Sequence, residues 1–367
     1  MKICLIVGAF PNMKCGIGDY TSILADHLQK SGNEVYIITS KKANCREALK
    51  YKVFNIVENW DFNDKKSIIN TLKSIKPDII HIQYPSDEYG SSLFINFLPR
   101  IIKKELREIK FKLVETVHEY LNYTAKGKIR NCINYAYADS IIVVEQQYIN
   151  KIKSFVTPIS KKFNIRYIPI SSNIPRSKLD YQEVNKLKIR LDLNENKIIS
   201  YFGFINELKG IETLIYAMKE IIKIDNTIKL VILSVLSKSD SYQNKILKMI
   251  DEFDLKNNII ITGFIDSSED VANYLKISDL SILPFRDGVS ERNGSFLAAY
   301  NQNIPIITTS HEKCGRSEDG VWYVKPNDTM QIVKNIQMIL TNEPNIQRNI
   351  LSWQSILEQH LEVYKLN

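Results

Sequence analysis

The loop from Arg286 to Ser295, reading RDGVSERNGS, concentrates groups suited to holding a phosphate. Arg286 and Arg292 supply planar forks of donors that match phosphate oxygens two at a time. Asn293, Gly294 and Ser295 stand where the helix-forming stretch Phe296 to Tyr300 begins. A helix start presents unpaired backbone N–H groups and a partial positive charge, which together favour an anion. The plainer alternative makes Asn293 or Ser295 an N-cap and the charges a solvated loop. Asp279 to Leu283 before the loop and Ile304 to Thr308 after the helix are apolar runs of strand length, so the segment reads as one βαβ unit.

A second set of candidates lies in the first half of the chain. Lys112 to Val117 reads as a strand, which leaves His118 at its carboxyl edge, where ligands gather in α/β sheets; the alternative is a core or capping histidine. Gly16 and Gly18 follow a strand at Lys2 to Val7 and precede a helix from about Tyr20 to Lys30. Strand, glycines and helix make the first turn of a doubly wound sheet, where glycine lets a ligand approach the backbone. Asp19 is either part of that loop or an N-cap. Gln83 and Tyr84 close the strand Asp78 to Gln83 at the same rim, while His81 reads as a structural histidine.

The elements that position these residues are short apolar strands alternating with helices, as expected for parallel strands covered on both faces. Further strands are Glu34 to Thr39, Val53 to Val57, Ser140 to Val144 and Arg166 to Ser171, and later Ile228 to Ser234 and Asn258 to Thr262. Leu93 to Ile109 is a basic amphipathic helix, which either packs on the sheet as a crossover or lies on a membrane. Pro158, Pro169 and Pro175 punctuate residues 158–178 and mark a division between domains. From Asn345 the tail reads as mostly helical, with Trp353, Leu357 and Leu361 as its apolar stripe.

A chain of 367 residues, 44% hydrophobic and 25% charged, exceeds one ordinary core, which also predicts two domains. Cys4, Cys15, Cys45, Cys132 and Cys314 are odd in number and form no C-x-x-C pair, so they read as thiols in a reducing compartment. No apolar run approaches the length of a spanning helix, and MKICLIVGAF reads as a first strand. Residues 1–170 hold 26 Lys and Arg against 16 Asp and Glu, net +10, whereas the remaining 23 and 25 give −2. This asymmetry suggests an anionic partner for the first half; with no zinc-finger spacing and no RNP-like motif, nucleic acid is not expected.

Pro284 to Thr309 resembles the signature segment of family 4 glycosyltransferases, retaining enzymes of the GT-B fold that take a sugar from a nucleotide diphosphate. Most members carry there two glutamates eight positions apart, ahead of a helix of small residues and a Gly-x-Pro-Val turn. Registered on Pro305, the second glutamate's place falls at Ala298 and the first at Ser290, one step from Glu291. The segment is similar to a subgroup with the form PFxDGxSxRxGS and a helix opening on Ala-Ala. KIISYFGFINELKG resembles the family's G-R-x-x-x-x-K-G segment, with Gly203, Lys209 and Gly210 matching and Phe204 where arginine is usual. The resemblance implies that Lys209 acts on the donor diphosphate, with Arg286 or Arg292 supplying the missing arginine. It implies that His118 contacts the transferred sugar and that Gly263 and Phe264 hold the nucleotide base. IPISSNIP is similar to the family's hinge and VWYVKPND to its closing strand and loop, with Asp328 capping the next helix.

The expectation is an α/β fold of two Rossmann-like doubly wound domains facing a cleft, the GT-B arrangement. Residues 1–170 would bind the acceptor and 171–345 the nucleotide sugar, with 346–367 a helix packed back on the first domain. Donor contacts are expected from Gly203, Gly263, Phe264, Arg286, Glu291, Arg292, Asn293, Gly294 and Ser295, and cleft-loop contacts from Gly16, Gly18, Asp19, Gln83 and Tyr84. Catalysis is assigned to His118 and Lys209, with no cofactor and no metal. No D-x-D triplet occurs in the chain, and Lys209, an arginine and the helix start at Gly294 would stabilise the leaving diphosphate instead. The expected reaction is retaining transfer of a hexosyl-type sugar to a saccharide or polyprenyl-diphosphate-linked acceptor in cell-surface polysaccharide synthesis. The expected place is the cytoplasm, peripheral at the inner face of the cell membrane. The rival readings are a catalytically silent GT-B sugar-binding or activator subunit and a sugar-nucleotide epimerase.

Overall fold

The computed structural model describes residues 1–43, 51–121, 123–156 and 164–365. Cys45 and Pro158 lie outside them. In chain order the elements begin β1 (Lys2–Ile6), α1 (Gly16–Lys30), β2 (Glu34–Ser40), β3 (Lys52–Val57), α2 (Lys65–Ile75) and β4 (Ile79–Tyr84). They continue through α3 (Phe94–Glu105), β5 (Lys112–Val117), α4 (Ala125–Tyr137), β6 (Ser140–Val143), α5 (Gln147–Val156) and β7 (Ile165–Tyr167). Next come α6 (Tyr181–Arg190), β8 (Ile198–Phe202), α7 (Ile211–Ile221), β9 (Lys229–Leu233), α8 (Ser241–Glu252), β10 (Ile259–Ile261) and α9 (Ser268–Lys276). The last are β11 (Leu280–Leu283), α10 (Gly294–Asn301), β12 (Ile306–Thr309), β13 (Ser317–Glu318), β14 (Val321–Val324), α11 (Thr329–Asn342) and α12 (Trp353–Lys365).

Two units result: Met1–Ser171 with Leu351–Asn367, and Ser172–Ile350. The first is built on a sheet in the order β3-β2-β1-β4-β5-β6-β7, parallel throughout. Its central strands β1, β4, β5 and β6 are buried on both faces, and the edge strands β3 and β7 only in part. On one side Leu5, Tyr20 and Leu24 pack with Ile356, Leu357 and Tyr364 of α12, while on the other Ile80 and Ile82 pack with Leu72, Leu98 and Ile102. Leu357 is fully enclosed, and Trp353 and Leu361 are partly buried against the same cluster. Helix α3 is shorter than the expected Leu93 to Ile109 and buries Phe94, Ile95, Leu98 and Ile102 against the sheet, the crossover arrangement. Strand β7 stops at Tyr167, short of the expected Ser171; Pro169 has no N–H to give a ladder.

The second unit carries a sheet in the order β10-β9-β8-β11-β12-β14-β13, with β13 alone running antiparallel, to β14. Helix α7 buries Ile211, Leu214, Ile215 and Met218, the stripe its spacing predicts. Asp328 caps α11, accepting from the Gln331 N–H. The tail corrects the expectation of helix from Asn345. Helix α11 ends at a left-handed Glu343 before Pro344, and regular helix resumes only at Trp353. Between them Arg348 lies on the Tyr300 ring at 4.3 Å and donates to the carbonyls of Asp319, Tyr300 and Gly320, which holds the segment to the second unit.

Candidate active site

In the second unit β8 and β11 are neighbours, so the loops leaving their carboxyl ends run side by side. After β8 the chain makes a short turn, Glu207–Lys209, started by Asn206, whose side chain accepts from the Leu208 N–H at 3.0 Å. After β11 the Arg286 N–H donates to the Leu208 carbonyl at 3.0 Å, tying the two loops together. Gly210 fits only as glycine: its φ is +62°, and an added Cβ would lie 2.1 Å from the Pro284 carbonyl oxygen.

This packing sets Lys209 over the Phe285 ring, 5.0 Å from Nζ to the ring centre. Burial first, and then the charge of Arg292, push the Lys209 pKa down. Two cations are thus held close enough to repel each other, an arrangement that an anion relieves. Gly203, at the end of β8, approaches the first turn of α10, where an added Cβ would lie 3.3 Å from Ser295 Cβ. Asn293 occupies the N-cap position but does not cap with its side chain. Its Oδ1 instead accepts from Ser290, from N at 2.6 Å and Oγ at 3.1 Å. The capping role is therefore absent, and Gly203, Lys209, Arg292, Gly294 and Ser295 come together around the start of α10.

Arg286 does not belong to that group. Its guanidinium is paired with Glu212 of α7, which also accepts from the Tyr242 hydroxyl. Burial raises the Glu212 pKa, but the bonds from Tyr242 and Arg286 outweigh it and hold the carboxyl below its ordinary range. The pair was missed because its partners stand 74 residues apart, and a glutamate in a helix's first turn reads simply as dipole compensation. Glu291 is exposed; Lys313, whose pKa is raised chiefly by its bond to Glu318, also feels a small raising effect from the Glu291 charge. Ala298 is fully enclosed beside Leu187, Val231 and Leu233, so the second glutamate's place has no room for a carboxylate. Gly263 and Phe264 follow β10, two strands from β8, with the Phe264 ring half exposed.

In the first unit the expected loop is partly helix. Gly16 and Gly18 lie in the opening turn of α1, and Asp19 is inside the helix rather than its N-cap, which is Cys15. The helix starts early because Gly18 packs directly on the strand-end loop: an added Cβ would sit 2.7 Å from the Ala9 carbonyl oxygen. Tyr84 also departs from expectation. Its ring turns inward, and its hydroxyl donates to Asn131 at 2.9 Å because α4 supplies polar partners beneath the strand end. His118 and Gln83 do meet, with His118 Nε2 2.8 Å from Gln83 Oε1, both buried. His81 is fully buried and bonded to Tyr364 and Thr116, a structural histidine.

Two doubly wound units, one carrying a cation-lined loop pair at the carboxyl edge of its sheet, define a GT-B protein. Residues 183–352 match the family described as glycosyl transferases group 1, and residues 2–111 match the family described as glycosyl transferase 4-like. The chain belongs to the group 1, family 4 glycosyltransferases. No curated protein matches it. Among solved structures it is similar to a sucrose-phosphate synthase from Thermosynechococcus elongatus, at 17% identity and a TM-score of 0.74, covering 100% of this chain and 98% of that one. It is also similar to Anabaena HepE in complex with UDP, at 13% identity and a TM-score of 0.73, covering 99% of each chain. A third is WaaG, a glycosyltransferase involved in lipopolysaccharide biosynthesis, at 12% identity and a TM-score of 0.68, covering 100% of each.

Proposed function

We propose that this glycosyltransferase takes a hexosyl-type sugar from a nucleoside-diphosphate donor and transfers it, with retention and without a metal, to a saccharide or polyprenyl-diphosphate-linked acceptor. The observation that carries this reading is the pairing of Lys209 and Arg292 beside the uncapped start of α10. When the bond from the anomeric carbon to the phosphate oxygen breaks, its electron pair stays on the diphosphate. Fixed cations and helix N–H groups act most strongly on charge that develops in a poorly hydrated site. The same groups supply the positive charge that a divalent ion supplies elsewhere. The HepE complex supports uridine as one candidate nucleoside, and WaaG supports a surface-saccharide role. In the first unit His118 is assigned to a sugar hydroxyl.

The enclosure of Ala298 favours a second reading, a silent subunit that binds a donor without turning it over. Incubating the chain with UDP-, GDP- and ADP-sugars, with saccharide and lipid-linked acceptors, separates the two. Acceptor-dependent release of nucleoside diphosphate, with the donor's anomeric configuration kept in the product by NMR, is the expected result. Tight donor binding with no product from any acceptor supports the silent subunit.

A further inference from the structure

Helix α3 packs on the sheet through Phe94, Ile95, Leu98 and Ile102, and that contact uses only one side of it. Its other side carries Phe97, Arg100, Ile101 and Lys104, spaced at three and four residues and so aligned in one stripe. Helix α4 lies beside it: the Arg100 guanidinium stands 5.9 Å from the Tyr137 ring centre, and Arg130 Nη1 donates to the Ser91 carbonyl at 3.4 Å. Phe62, in the turn before α2, joins the face with its ring 6.3 Å from that of Phe97. Phe62, Phe97, Arg100, Ile101 and Lys104 line a single hollow.

Two properties set this face apart. Among the described residues the first unit leaves five large apolar side chains exposed, and all but Met1 are here: Phe62 at 57%, Leu93 at 48%, Ile129 at 61% and Tyr137 at 37%. The charge is also one-sided. Helices α3 and α4 hold Arg100, Lys103, Lys104, Lys126, Lys128 and Arg130 against one carboxylate, Glu105. Glu105 is itself paired with Lys65 at 2.7 Å, and Asp139, just past α4, with Lys103 at 2.5 Å. Exposed apolar side chains gathered on one face mark an interaction surface, and the surplus of cations says what kind.

We propose that the α3–α4 face docks this protein on an anionic lipid bilayer, with Phe62, Leu93, Ile129 and Tyr137 entering the headgroup layer and the cations meeting lipid phosphates. Rings and branched aliphatic chains suit that boundary, and Lys and Arg reach past them to the phosphates. Two copies of this face would repel each other, whereas an anionic surface attracts it. The crossover contact and the membrane contact then use opposite sides of α3. Both helices follow a strand's carboxyl end, the edge that carries Gln83 and His118. Docking therefore brings that edge to a polyprenyl-linked acceptor, a consequence that rests on the proposed reaction, as the docking itself does not.

Sedimentation of the full chain with phosphatidylglycerol or phosphatidylcholine vesicles at low salt reads docking without turnover. Arg100→Glu with Lys104→Glu should weaken phosphatidylglycerol binding at least tenfold. Lys30→Glu with Lys365→Glu changes the net charge equally from the α1 and α12 side of the sheet, and should stay within threefold of the parent. Phe62→Ser with Ile129→Ser keeps the charge and should weaken binding severalfold, with Tm within a few degrees because both side chains are more than half exposed. Equal losses in the two charge variants would assign the attraction to net charge and overturn the proposal, as would parental binding in the serine variant. A dimer that the serine variant abolishes, with no vesicle binding by the parent, gives the face to a second copy and also overturns it. If vesicles bind as stated and no lipid-linked acceptor is used, the docking stands and the acceptor reading falls.

Discussion

At the scale of the residue, the proposed function places the most weight on Lys209. Its charge is held half-buried beside Arg292, so its proton leaves at lower pH than that of an exposed lysine. Lys209→Met should lower turnover by on the order of a hundredfold, about 3 kcal/mol of transition-state stabilisation. Stability should move the other way or not at all. A lysine whose folded pKa lies below its unfolded value binds its proton more weakly in the folded chain, so its charge costs stability at neutral pH, and the cost fades as pH rises. Single-turnover rates with thermal melts check both halves. A Lys209→Met protein with parental chemistry, or with a Tm lower by many degrees, would contradict the assignment. The arginine beside this lysine was legible only as a choice between Arg286 and Arg292. Glu212, which also accepts from Tyr242, engages Arg286, and nothing in local spacing announces a pair so distant in sequence.

At the scale of elements, the parallel strands were legible as short, mainly apolar runs, and β5 falls on the residues read from sequence, Lys112–Val117, whereas β13, an exposed Ser317–Glu318 pair, gave no such signal. The start of α1 was not, because Gly16 and Gly18 are poor helix formers that tertiary packing nonetheless places in a helical turn. The junction of the turn after β8 with the loop after β11 makes a direct prediction. Gly210→Ala forces a left-handed φ on alanine and drives its Cβ into the Pro284 carbonyl, so it should cost about 1–3 kcal/mol, read as a lowered urea midpoint. Unchanged stability would mean the two loops are not so joined. Strand β5 carries a second consequence. Burial pushes the Glu115 pKa up to about 8, against the lowering effect of its bond from Asn134, and its Oε2 lacks a hydrogen-bond partner. The native carboxyl keeps its proton while the unfolded one ionises, so stability should fall as pH rises from 4.5 to about 8 and level off above. Glu115→Gln should remove that slope, its Tm advantage over the parent growing across the window. Parallel pH profiles for the two proteins would show that Glu115 is not the cause.

For the whole molecule, the doubly wound architecture was legible from alternating strand and helix signals. The coil that precedes α12 was not, since its course is set by Arg348 reaching three carbonyls of the second unit. No helix among the described residues is long and apolar enough to cross a membrane. The basic balance of residues 1–170 nevertheless gives an expectation at this scale. A net positive surface is drawn to anionic lipid with a strength that salt reduces. The protein should sediment with phosphatidylglycerol vesicles at low salt and be released at physiological salt or above, while ignoring phosphatidylcholine vesicles. Equal pelleting with both lipids, or with neither, would remove the membrane from the account.

The central claim is that Lys209 and Arg292, and not Arg286, hold the donor's diphosphate at the start of α10. Calorimetric titration with UDP, GDP and ADP tests it most directly, taking the tightest of the three into Lys209→Met, Arg292→Met and Arg286→Met. The account predicts that the first two weaken binding at least tenfold, and that Arg286→Met keeps the parental Kd while losing several degrees of Tm, because it strands the Glu212 carboxylate. Parental affinity in both Lys209→Met and Arg292→Met, or loss of affinity confined to folded Arg286→Met, would contradict it.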